Sequence, residues 1–166
     1  MTIDNQLQLV KGYARIDKFS EKPNFLFAQS DLSTVYENQL ASVKRGVAIV
    51  DQQYVVVRDE MTATNKSTTV RWTMMTSATP VIKGNRILLS KEGHTLILQV
   101  NAPGKVKMKT WPTEPTTNYD AANPGKSLVG FEFQLKPNQK QNIQVLLVPG
   151  SVKDQKIKFT KELDKW

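Results

Sequence analysis

A chain of 166 residues is long enough for one domain with its own core, and the absence of cysteine excludes a disulfide framework and thiolate metal ligands. No apolar run nears the roughly 20 residues needed to cross a bilayer, and Met1-Thr2-Ile3-Asp4-Asn5-Gln6 lacks the basic flank and apolar stretch of a signal peptide. Lys and Arg total 23 against 15 Asp and Glu, a formal charge of +8 that raises the chance of a polyanionic partner; it is dense only at Lys105, Lys107 and Lys109 and in the tail Lys153, Lys156, Lys158, Lys161 and Lys165, which Asp154, Glu162 and Asp164 dilute, so it reads first as ordinary solvated surface.

In chain order, Asp31-Leu32-Ser33-Thr34-Val35-Tyr36 suits one helical turn capped by Asp31 or Ser33. Val47-Ala48-Ile49-Val50 and Tyr54-Val55-Val56-Val57 flank the turn Asp51-Gln52-Gln53 and are apolar enough for strands covered on both sides. Asp59-Glu60 reads as a strand end, in a turn or paired with Arg45 or Arg58. After Asn65-Lys66-Ser67, the residues Val70, Trp72 and Met74 alternate with Arg71, Thr73 and Met75, which buries one face with Trp72 in the core. Turns at Lys83-Gly84-Asn85 and Lys91-Glu92-Gly93 precede a strand that His94 opens, on the face of Leu96, Leu98 and Val100. Beyond Ala102-Pro103-Gly104, the side chains of Lys107, Lys109 and Trp111 share one face, opposite Val106, Met108 and Thr110. A long polar, proline-studded loop runs from Trp111 to Gly125. Val129, Phe131, Phe133 and Leu135 then share a face, and so do Ile143, Val145 and Leu147 after the turn Lys136-Pro137-Asn138. About ten such strands predict an all-β antiparallel sandwich, Greek-key or supersandwich-like, with at most one short helical turn. Residues 1–150 form the sandwich and 151–166 a charged tail or last strand, with Trp166 frayed at the terminus.

The residues offer little chemistry. His94 is the only histidine, and without an orienting partner in sequence it reads as a structural residue near a turn. One histidine and no cysteine fall short of a zinc site, and Asp59, Glu60 or Asp120 form no dense calcium-ligand pattern, so neither metal nor cofactor is expected. Nucleic-acid binding is not expected either, since the sheet-borne aromatics interleaved with basic residues are missing apart from the strand Lys107 to Trp111; no membrane contact is expected. That strand has two readings. Two cations beside an indole suit an acidic sugar; alternatively Trp111 packs under the following loop and the lysines are solvated. Tyr119 lies at the loop's other end.

Ser30-Asp31-Leu32-Ser33-Thr34-Val35-Tyr36, Val43 to Asp51 and Tyr54 to Glu60 resemble the C-terminal β-sandwich of heparinase II/III-type polysaccharide lyases. The resemblance extends through Arg71-Trp72-Thr73-Met74-Met75-Thr76, the loop Thr113 to Gly125 and Leu146-Leu147-Val148-Pro149, and spans residues 25 to 150. It implies a parent enzyme, periplasmic or secreted, that eliminates across uronic-acid-containing polysaccharides. The catalytic tyrosine and histidines of such enzymes lie mainly in a helical toroid ahead of the sandwich. This chain has no counterpart of that toroid, so the expectation is a non-catalytic fragment without lyase activity of its own; a free-standing binding or adhesion module for an acidic glycan is the alternative. Lys107, Lys109, Trp111 and Tyr119 are its candidate substrate-binding residues. An interface orphaned by the missing toroid is expected at the rim of the loop Trp111 to Gly125, with self-association as the consequence.

Overall fold

The computed structural model describes residues 1–115, 118, 120–152 and 161–166. Its strands are β1 (Thr2–Ile3), β2 (Lys18–Lys22), β3 (Phe25–Asp31), β4 (Leu40–Val50), β5 (Tyr54–Ala63), β6 (Thr68–Thr76), β7 (Thr79–Lys83), β8 (Arg86–Lys91), β9 (His94–Asn101), β10 (Lys107–Trp111), β11 (Ser127–Leu135) and β12 (Lys140–Pro149). All pairings are antiparallel, in a four-stranded sheet β1-β6-β11-β10 and an eight-stranded sheet β2-β3-β4-β5-β12-β9-β8-β7. The all-β antiparallel sandwich expected from the alternation is the fold observed, with twelve strands rather than about ten. The strands β1, β2 and β7 lie at sheet edges, and none of them shows a regular apolar alternation in sequence. Pro80 is tolerated in β7 because an edge strand has one side that needs no donor.

The main core lies between the sheets. Val70 and Trp72 of β6 and Val129, Phe131 and Phe133 of β11 face Val43, Met61, Leu98, Val100, Ile143 and Val145 of the larger sheet, and Trp72 stacks on Phe131 at 5.7 Å between ring centroids. Gly130 lets β11 lie close to β6, since a Cβ there would run into the Trp72 carbonyl. The helical turn expected at Asp31–Tyr36 is a set of hydrogen-bonded turns: Asp31 Oδ1 accepts the Ser33 N–H at 2.9 Å, and Leu32 O accepts the Val35 and Tyr36 N–H groups.

Four strands cannot cover eight. On β4 the inward-facing Val47 and Ile49 remain 42% and 41% exposed, so the expectation that this run is covered on both sides fails on the inner face. On the outer face it holds: Ala48, Val50, Val56, Leu146 and Val148 form a second, smaller core with Phe25, Phe27 and Trp166. The chain returns there to end in a 3-10 turn, Leu163–Lys165. Trp166 is docked, not frayed, with its ring edge-on to Phe25 at 5.4 Å and to Phe27 at 5.8 Å. Gly46 is the seat of this segment, because a Cβ there would strike both Leu163 Cδ2 and the Trp166 ring.

Candidate functional site

Alternation along β10 puts Lys107, Lys109 and Trp111 on the outer face of the four-stranded sheet, while Met108 turns to the core. Register supplies their neighbours. Lys107 lies opposite Glu132 of β11, which lies opposite Arg71 of β6. The Lys109 ammonium donates to one Glu132 carboxylate oxygen and Arg71 to the other at 2.8 Å. The Lys109 hydrogen bond is the largest cause of the lowered Glu132 pKa; desolvation opposes it and Arg71 adds to it. Arg71 Cζ also stands 5.0 Å from the Trp111 ring centroid and Lys109 Nζ 5.9 Å, within cation–π range. Both sequence readings therefore need amendment: the indole lies against a cation pair, and that pair is bridged by a carboxylate. Lys107 remains exposed beside the cluster, with no ion pair among the described residues. Tyr119 lies outside the described residues, so its place relative to this surface is not part of the geometry. Arg71 and Glu132 were visible in sequence only as outward positions of alternating strands; joining them to Lys109 requires the register.

Asp59 and Glu60 sit in the middle of β5, not at a strand end, and point to opposite sheet faces. Asp59 takes a two-pronged bond from Arg45 at 2.7 and 2.9 Å on the inner side. Burial lowers the Arg45 pKa, but Asp59 more than offsets it, so the guanidinium is held firmly charged. Close by, burial raises the Tyr36 hydroxyl pKa, and that oxygen accepts a hydrogen bond from Gln8 Nε2 at 2.8 Å. On the outer side Glu60 Oε1 accepts both Arg58 Nε at 2.7 Å and the Leu163 N–H at 2.9 Å. These groups tie elements together.

His94 is exposed opposite Lys91 at the mouth of a mainly apolar cleft of about 340 Å³ that also holds Met74, Leu89 and Leu96. Among the described residues no group of three or more His, Cys, Asp or Glu side chains is placed to hold a metal ion.

The large exposed apolar side chains are not where the loop was expected to gather them. Leu7, Val10, Tyr13 and Ile16 lie on the segment leading into β2, Phe19 lies on β2 at 69% exposure, and Val47 and Ile49 lie on β4. Trp111 is half-buried, and the described residues of the loop add no large exposed apolar side chain. The orphaned interface expected at the loop thus finds no support among the loop's described residues, Tyr119 lying outside them; the large exposed apolar side chains that are described belong to the uncovered end of the larger sheet and the segment leading into it.

No helix among the described residues is long and apolar enough to cross a membrane. No protein-family model matches the chain, and no curated protein matches it. Solved structures do. A heparan sulfate lyase, HepC from Pedobacter heparinus, is similar with a TM-score of 0.69 at 19% identity, over 89% of this chain and 23% of that one. A heparinase III gene product is similar with a TM-score of 0.64 at 18% identity, over 82% and 21%, and a further heparinase III with 0.61 at 12% identity, again over 82% and 21%. Over more than four-fifths of its length, therefore, this chain has a fold found within heparinase III and heparan sulfate lyase structures, and it spans little more than a fifth of theirs.

Proposed function

We propose that this chain is a non-catalytic β-sandwich, the C-terminal domain of a secreted or periplasmic heparinase II/III-like polysaccharide lyase, that supports a helical catalytic domain and edges its glycan cleft. The parent's reaction is β-elimination of an acidic, uronic-acid-containing polysaccharide. The observation that carries this reading is the apolar inner face left open by the shorter sheet, with Phe19, Val47 and Ile49 in contact with water. Exposed apolar surface gathered in one region usually marks a contact site. A second domain laid against it would complete the layer that four strands cannot provide.

The test pairs the native chain with a Phe19→Ser/Ile49→Lys variant in sedimentation at rising concentration and in binding of a hydrophobic dye. The native chain should self-associate and take up dye, and the variant should do neither. Because both positions are solvent-exposed, its stability should change by no more than about 0.5 kcal/mol each. A native chain that stays monomeric and dye-free refutes the docking face. Incubation with heparin, heparan sulfate and alginate should give no unsaturated product; sustained product absorbance, lost on His94→Ala, refutes the non-catalytic assignment.

A second reading, a free-standing acidic-glycan module, draws on Lys107 beside the Arg71–Glu132–Lys109 cluster. Lys107, Lys109, Trp111 and Tyr119 would be its contacts, and glycan binding weakened by Lys107→Ala would favour it.

A further inference from the structure

Arg58 is placed unlike the other basic residues. It lies mid-strand on β5, facing outward from the eight-stranded sheet, yet it is only 5% exposed. Glu60 occupies its Nε alone, and among the described residues the guanidinium has no other hydrogen-bond or ion-pair partner. Arg58 lines a groove made of two adjoining clefts, about 390 and 490 Å³, which share Arg58, Pro103, Asn142 and Glu162. That volume suits a small ligand.

The walls are polar. Thr62, Lys140 and Asn142 continue the outer face of β5 and β12 beside Arg58, and Asn101 closes the β9 side. Lys44 stands at the β4 side. The same strands are apolar a few residues away, at Val56, Leu146 and Ile97, where Trp166 and its neighbours cover them. The polar half of the face is thus the part that Trp166 does not cover. The C-terminal segment also ties into it: Leu163 N–H and Arg58 Nε both donate to one Glu60 oxygen.

We infer that this groove binds a short acidic saccharide, with Arg58 gripping a carboxylate or sulfate through its two Nη groups and the amides and hydroxyl of Asn101, Asn142 and Thr62 taking sugar hydroxyls. The planar fork of a guanidinium matches a carboxylate or sulfate in a two-pronged bond. Lys44 and Lys140 outweigh Glu162, since Glu60 is already neutralised by Arg58. An apolar ligand would leave these donors and acceptors unpaired, at a cost that excludes it. The groove lies on the opposite face of the sheet from Val47 and Ile49, so it goes beyond the docking role and does not depend on it.

The experiment titrates the intact chain, by calorimetry and amide chemical shifts, with an unsulfated glucuronate tetrasaccharide, a sulfated heparin tetrasaccharide and neutral chitotetraose. The expected result is binding of one or both acidic probes, with shifts at Thr62, Asn101 and Asn142; which acidic probe is tighter identifies the anionic group. Asn142→Ala should weaken binding by roughly three- to tenfold, the loss expected for a hydrogen bond to a neutral hydroxyl, and Lys140→Ala and Arg58→Lys each by on the order of tenfold or more, the loss expected at a charged group. The first two lie at the surface and leave the Glu60 anchor intact, so a folding defect cannot mimic the effect. Lys107→Ala should leave binding unchanged. Equal binding of chitotetraose, binding unaffected by all three groove variants, or loss of binding on Lys107→Ala alone would each overturn the assignment.

Discussion

Leu163→Ala probes how the C-terminal segment is held. The side chain is 2% exposed, and shortening it removes about three methylene equivalents at ~0.8 kcal/mol each, or roughly 2.4 kcal/mol. In a rigid core the cavity left behind would raise this towards 5 kcal/mol. Here Leu163 sits in a short segment whose anchors include its carbonyl, which accepts Gln29 Nε2 at 2.7 Å, its N–H on Glu60, Trp166 against Phe25 and Phe27, and Lys161 over the Phe25 ring. Ordering residues 161–166 costs about 1–2 kcal/mol per residue in backbone entropy alone, so the net docking energy is small and a loss near 2.4 kcal/mol exceeds it. The segment should therefore release before the sandwich unfolds. In fluorine NMR of 5-fluorotryptophan-labelled protein, the Trp166 resonance should move to its solvent-exposed position in native buffer, while those of Trp72 and Trp111 hold and the β-sheet circular dichroism is unchanged. If Trp166 stays in place and the global unfolding free energy falls by 2–5 kcal/mol instead, the segment is an integral part of the core and the reasoning is wrong.

Asp59→Asn should cost about 3 kcal/mol in urea unfolding, the low end of the range for breaking a buried pair, because it leaves the mostly buried Arg45 without a counter-charge; a loss below about 1 kcal/mol would mean that water already solvates that guanidinium. Glu132→Gln should cost about 1 kcal/mol at neutral pH, and the difference should depend on pH with a definite sign. The folded pKa of Glu132 is lowered, chiefly by Lys109, so the stabilisation is fully present above the unfolded value of about 4.3 and is lost as pH falls through the folded value. Unfolding free energies of the two proteins should converge below about pH 4.3; a gap that is constant down to pH 2 contradicts the pairing.

The alternation of Val70, Trp72 and Met74 and of Val129, Phe131 and Phe133 placed both strands and their buried faces correctly, because side-chain parity is a local property of an extended chain. Which apolar face receives a second layer is not local. Val47 and Ile49 read the same as Ala48 and Val50, yet the first pair meets water and the second meets Trp166; the difference lies in the unequal widths of the sheets and in a return of the chain more than a hundred residues later. The charged clusters failed to show for a similar reason. Lys107, Lys109 and Trp111 were legible as one face of one strand, but Arg71 and Glu132 join them only across two ladders. Arg58 carried no signal beyond a pairing with Asp59-Glu60, since its burial depends on the neighbouring strands and the C-terminal segment.

The central strands β4 and β5 carry opposite duties on consecutive residues. Gly46 seats the C-terminal segment and pairs with Arg58 in the groove wall, while the next pair, Val47 and Val57, faces the other side of the sheet. A slip of one residue in β5 would turn Arg58 inward and Val57 outward, and a slip of one residue in β4 would put a Cβ where Leu163 and Trp166 now sit. The irregularity between Leu40 and Ser42 occurs at the far end of the same ladder, where one strand carries an extra residue relative to its partner. Moving it would shift every pair beyond it. The Asp59–Arg45 pair on the inner side and the Glu60–Leu163 bond on the outer side both require the present register. Two part-buried polar ties, one per face, thus hold apart an apolar surface and a polar one that differ by a single step along the chain.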